Sequence, residues 1–199
     1  MKVNQSTVVR LQLTELERLD PVTVFLEDFG PNRGRITIEC FGDAWSSFWP
    51  AMGGSLEEFF IRCNDGYLAK NLAPHLKDEI YDFDKLEESL KVAIRFNRRE
   101  ESISESEARD LYEKVSELDY GVSLGHDQIW LAENRDLLFD ILGDEFYYQM
   151  PMQPNPDYQY LCRIIQAVRE GLKEYQRLGA VIDEPVIKSN NGRSENTQR

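Results

Sequence analysis

The chain has 199 residues, with 36 acidic side chains against 23 lysines and arginines, so its formal net charge is −13 at pH 7. A charge of this sign repels nucleic acid phosphates and anionic membrane surfaces, and we expect no direct binding to either. No run of about 18 apolar residues and no charged leader before an apolar segment is evident, so we expect neither membrane insertion nor secretion. We predict a cytoplasmic protein with a single domain over 1–188.

The first predicted elements are strands. Apolar and polar residues alternate over 8–13, 22–27 and 35–40, as in strands with one buried face. Gly30, Pro31 and Gly34 indicate a long hairpin turn between the second and third strands. Three strands with one apolar face need helices to cover it. The predicted fold is therefore α+β, with a small three-stranded antiparallel sheet over 6–44.

A family resemblance lies in this part of the chain, over about residues 20–75. It rests on the motifs Asp28-Phe29-Gly30, Arg33-Gly34-Arg35 and Phe41-Gly42, and on the run from Trp45 to Gly54. This combination resembles a family of accessory proteins encoded by tailed bacteriophages and prophages. The resemblance implies a setting, the cytoplasm of a bacterial host during phage growth or lysogeny, and no particular activity.

Two tryptophans, Trp45 and Trp49, follow the hairpin. They are four residues apart and share a face if the segment is helical. Paired large aromatics next to the flexible Gly53-Gly54 are typical of a binding anchor. The alternative is that both indoles cover the open face of the sheet.

The remainder, 45–180, is predicted to be mainly helical. A capping side chain stands three residues before a glutamate at Ser55, Asp84 and Ser104, which predicts helix starts near 56, 85 and 105. A further helix is predicted from Asp127.

The longest predicted helix begins at Asn155-Pro156 and ends near Gly179, because an Asn cap and a Pro in the first turn favour a helix start. Its apolar residues, within 156–178, form a stripe long enough to suggest a homodimer contact. The polar tail over 189–199 is predicted to be disordered.

The acidic residues are concentrated in one part of the chain. Residues 78–151 hold 20 acidic and 8 basic side chains, and so carry −12 of the net charge. On the helix predicted from Ser104, acidic side chains recur along the helix surface. We predict that this row binds a basic host or phage protein, as DNA-mimicking inhibitors do; the alternative is an ordinary solvated surface. The row consists of Glu105, Glu107, Asp110, Glu113 and Glu117.

Candidate catalytic chemistry is limited to His126 and the carboxylates Asp82 and Asp84. Together they suggest, as an alternative function, a small metal-assisted hydrolase or nuclease. The HxH, HxxxH and HExxH spacings are absent from the sequence. We therefore predict no catalytic residue, metal ligand or cofactor. A self-assembling structural protein is the second alternative.

Overall fold

A computed structural model describes residues 1–5, 7–123 and 125–182. Contacts divide the chain into two units, one made of residues 1–75 together with the chain from Leu161 onward, the other of Leu76–Tyr160. The single domain over 1–188 stays a prediction, and the tail at 189–199 lies outside the described residues. The helices are α1 (Leu56–Arg62), α2 (Asp65–Leu72), α3 (Phe83–Arg99), α4 (Glu105–Glu117), α5 (Asp127–Glu133), α6 (Arg135–Leu142), α7 (Phe146–Gln149) and α8 (Pro156–Ile182).

The sheet of the first unit has four antiparallel strands, one more than predicted. They are hydrogen-bonded in chain order: β1 (Val9–Leu13), β2 (Val22–Asp28), β3 (Gly34–Cys40) and β4 (Asp43–Trp49). The fold is α+β as predicted, but the segment from residue 45 is a strand and the first helix starts at Leu56. Phe41 and Gly42 have positive φ angles of 49° and 89°, and this tight turn pairs Cys40 with Asp43.

One face of this sheet forms the core of the first unit. Val24 and Ile38 are paired on β2 and β3, and both are buried. Gly34 lies on the same face, where an added Cβ would approach the Leu56 side chain to 3.2 Å. The absence of a side chain at Gly34 thus lets α1 pack closely on β3.

Helix α8 contributes its apolar stripe to the same core. Arg169 Nη2 donates a 2.8 Å hydrogen bond to the Cys63 carbonyl and lies 2.6 Å from Asp65 Oδ1, while Gln166 donates to Asp65 Oδ2 at 2.9 Å. Burial raises the pKa of Asp65, but the hydrogen bonds from Gln166 and Arg169 and the Arg169 charge outweigh it, so the net pKa is lowered. The buried members of the stripe are Leu161, Ile164, Ile165, Val168 and Leu172.

Beyond Leu172, Tyr175 and Leu178 of this helix are exposed. The stripe is thus covered within one chain over most of its length. The homodimer through 156–178 stays a prediction. Tyr175 and Leu178 are the side chains of the stripe that are free to form such a contact.

The second unit is built on helices α3, α4 and α6. A two-stranded antiparallel sheet of β5 (Glu79–Tyr81) and β6 (Met152–Pro154) accompanies them. Neither short strand is predicted by the sequence, because each is too short to show a repeating pattern. The core is apolar and includes Leu86, Leu90, Ile94, Leu111, Val115, Leu138 and Ile141.

Helix starts follow the local capping signals. The capping boxes at Ser55 and Ser104 are both formed, which confirms the predicted starts of α1 and α4. Helix α3 starts at Phe83, two residues before the predicted position. Its cap is Asp82, which accepts from the Lys85 backbone N–H at 3.2 Å, while its own N–H donates to the Pro151 carbonyl. Pairing with a segment distant in sequence therefore places the cap before Asp84.

Candidate binding surface of helices α3 to α6

All five acidic residues predicted to form the binding row lie exposed on α4, but their charges are not equivalent. Glu107 closes the capping box, and hydrogen bonds from Ser104 hold the pKa of Glu107 below its usual value. Glu105 pairs with Arg109, and Asp110 Oδ2 lies 2.8 Å from Lys114 Nζ. These pairings reduce the net negative charge that α4 presents.

The five residues also do not share one face. At about 100° per residue, Glu105 and Glu107 point to opposite sides of the helix, next to the buried Leu111 and Val115 stripe. The three others, Asp110, Glu113 and Glu117, lie opposite that stripe and point outward. The structure thus reduces the predicted row to these three side chains.

Helix α6 extends the acidic surface. Asp136 and Asp140 are one turn apart and exposed, and their spacing places them on the same side of the helix. Hydrogen bonding and the charge of Asp110, with a smaller contribution from Asp140, raise the pKa of Lys114. Lys114 therefore interacts electrostatically with carboxylates of both helices. We call Asp110, Glu113, Glu117, Asp136 and Asp140 the acidic surface.

Arginines predominate beside Glu113, at the edge of the acidic surface that faces α3. A groove of about 530 Å³ between α3 and α4 has Ile94, Ala108 and Tyr112 among its apolar lining residues. Four arginines also line it. Two are paired, Arg95 with Glu88 at 2.6 Å and Arg109 with Glu105. The others, Arg98 and Arg99, lie in the last turn of α3, where a cation is favoured by the helix dipole. This groove bounds the acidic surface on one side.

The predicted aromatic anchor lies on the core side of the first unit's sheet. Trp49 is only 4% exposed and packs against Phe59 at a centroid distance of 5.3 Å, and Trp45 is half-buried. On the opposite face, the exposed Phe48 stacks edge to face with Phe29 at a centroid distance of 5.7 Å. An anchor role for Trp45 and Trp49 stays a prediction. The alternation within β4 is the signal that separates the buried rings from Phe48.

The residues of the hydrolase alternative have separate structural roles. Asp82 caps α3 and accepts from Lys85 Nζ at 2.6 Å, and Asp84 lies in the first turn of the same helix. His126 precedes α5 and lines a shallow cavity with Asp119 and Glu133. Among the described residues, no three His, Cys, Asp or Glu side chains group closely enough to hold a metal ion. No contact favours the hydrolase, which stays an alternative.

The chain was compared with known protein families, curated proteins and solved structures. A family model described as a phage family matches residues 1–174, which extends well beyond the 20–75 segment of the resemblance and includes α3 to α6. No curated protein and no solved structure matches the chain. Among the described helices, none is both long enough and apolar enough to cross a bilayer.

Proposed function

The chain belongs to this phage protein family, and we propose that it acts by binding a basic protein of the host or of the phage through its acidic surface. The observation that carries the proposal is the outward row of Asp110, Glu113 and Glu117 on α4. Both ends of this helix are defined by hydrogen bonds, so the row is held on a rigid support.

Helix geometry supports the proposal. Side chains three or four residues apart on a helix are about 5–6 Å apart, so the three carboxylates form a line. In the described part of the chain, Glu113 and Glu117 have no ion pair, so their charge acts on an approaching partner. Such a surface attracts cationic proteins and increases their association rate. The proposed site of action is the bacterial cytoplasm.

A capture experiment tests the proposal. The protein is immobilised and exposed to an extract of phage-infected bacteria, and a variant with Asp110→Lys, Glu113→Lys and Glu117→Lys is compared with it. The matched control reverses three exposed acids of the first unit, Glu15, Glu17 and Glu39, and so changes the net charge equally.

We expect the wild type and the control to capture the same basic protein, and the α4 variant to lose it. Circular dichroism should show that all three proteins are folded. A basic protein captured equally by the α4 variant would contradict the proposal, and so would loss of capture in both variants, because only total charge would then matter.

A further inference from the structure

A second groove, between α3 and α6, exposes large apolar side chains. Its cavity volume is about 620 Å³. Phe96 is 60% exposed, and Val92 and Phe139 are each 51% exposed. Half-buried Ala93, Ile103 and Leu142 complete its apolar lining. The two phenylalanines come from different helices, so the exposed rings form a shared surface and not an isolated residue.

Hydrogen bonds within the second unit hold the walls of this groove in place. Asn97 Nδ2 donates a 2.8 Å hydrogen bond to the Ile141 carbonyl, which joins α3 to α6 beneath the exposed rings. Gln149 Nε2 donates at 2.7 Å to the Leu142 carbonyl at the end of α6. Buried Leu86, Leu90 and Ile141 support the floor from the core. A ligand would thus meet a preformed surface, which lowers the entropic cost of binding.

We propose that this groove binds an amphipathic helix of a basic protein, with the apolar face of that helix against Phe96 and Phe139. The inference rests on the proposed function, because it assigns the apolar part of the same interaction. Aromatic residues, phenylalanine included, are enriched in the cores of protein interfaces. A helix laid in an apolar groove is an established mode of peptide recognition.

Charge complementarity identifies the occupant as basic on one side. Asp140 lines the groove and Asp136 lies one turn before it, so the α6 rim is acidic. Asp144 and Glu145 follow at the end of α6 and are exposed. The residues of α3 that line the groove are all uncharged. The bound helix therefore needs lysines or arginines on the side that overlies α6. A second copy of this chain fits less well, because two molecules of net charge −13 repel each other.

The test uses a fluorescently labelled synthetic peptide of about 18 residues, or about five helical turns. Leucine and phenylalanine occupy one face and lysine and arginine the other. A scrambled peptide of the same composition and an acidic counterpart, with glutamate in place of the cations, serve as references. Fluorescence anisotropy measures the Kd of each peptide for the full-length protein.

We expect the basic amphipathic peptide to bind, and Phe96→Gln and Phe139→Gln each to weaken it by about tenfold or more. The control, Phe48→Gln, changes a phenylalanine of the first unit that is 47% exposed, and should leave the Kd unchanged. Asp136→Lys with Asp140→Lys should weaken binding, because the double reversal makes the acidic α6 rim basic.

Four results would overturn the inference. They are no peptide binding, equal binding of the scrambled or acidic peptide, unchanged affinity in both Phe→Gln variants, and light scattering that shows a wild-type dimer made monomeric by Phe96→Gln. If the triple reversal on α4 abolishes peptide binding while both Phe→Gln variants retain it, the groove is not the binding site. The proposal that the acidic surface binds a basic partner would still hold. Loss of the proposed function would instead be seen in the capture experiment.

Discussion

Helix α8 packs closely on β1 because Gly171 has no side chain, and this leads to a testable prediction. Gly171 lies in α8, and a Cβ added there would be 2.5 Å and 2.9 Å from the two Cδ atoms of Leu13 and 3.3 Å from its Cγ. The first two distances are well below van der Waals contact. Gly171→Ala therefore forces Leu13 to move or α8 to shift away from the sheet.

Two opposing effects set the magnitude. Alanine favours a helix over glycine by about 1 kcal/mol. Inserting a methyl group into a packed site costs about 1–3 kcal/mol. The difference is a net loss of stability of up to about 2 kcal/mol, and we expect a value within the lower half of that range because Leu13 presents the flexible end of a half-buried side chain.

Gly179 provides the matched control, since it lies in the same helix and an added Cβ would have no atom within 4 Å. Gly179→Ala should stabilise the protein by up to about 1 kcal/mol. Urea denaturation followed by circular dichroism measures both variants. The two substitutions should change the free energy of unfolding in opposite directions. In a double-mutant cycle, Leu13→Ala should remove most of the destabilisation caused by Gly171→Ala. Equal stabilisation by both substitutions would show that α8 does not pack on Leu13.

Three further predictions concern the core and two titrating groups. Ile38→Asp buries an unpaired charge in the first unit, and its circular dichroism spectrum should be that of an unfolded chain; a native spectrum would refute the assigned face. The pKa of Asp65 is lowered in the folded state. The ionised carboxylate therefore contributes to the free energy of unfolding above the unfolded pKa of about 3.9, and this contribution is lost as pH falls through the folded pKa. Asp65→Asn should therefore make stability less dependent on pH below about 5, and an unchanged acid profile would contradict this. Burial, with a smaller effect of the Glu87 charge, raises the pKa of Tyr120 to about 12. Tyr120→Phe should therefore remove one late step from the alkaline titration of the tyrosines. It should also reduce the loss of folding stability above about pH 10, where the unfolded tyrosine ionises first.

The elements that the sequence predicts are those with local causes. The β2–β3 hairpin follows from alternation and its turn residues, and the starts of α1 and α4 follow from capping boxes complete within four residues. Strand β4 is missed because residues four apart share a face in a strand as well as in a helix, so Trp45 and Trp49 fit either element. The helix predicted from Asp127 is divided at Asn134, which caps both α5 and α6.

The candidate site is less predictable because it depends on contacts distant in sequence. The exposure of the acidic side chains follows from helix periodicity, but the pairing of Asp110 with Lys114 changes the charge that they present. The α3–α6 groove brings Phe96 next to Phe139, and no local pattern joins residues so far apart. The same holds for β5 and β6, where Tyr81 pairs with Met152.

The dependence of binding on salt tests the central claim most directly. The partner recovered by capture is titrated with the wild type and with the Asp110→Lys, Glu113→Lys, Glu117→Lys variant, from about 50 to 300 mM salt, and the Kd is measured by calorimetry. If the acidic surface forms the contact, wild-type affinity should fall by about tenfold or more over this range, and the variant should bind weakly at every salt concentration. A wild-type Kd that is independent of salt, or a variant that binds as tightly as the wild type, would contradict the account.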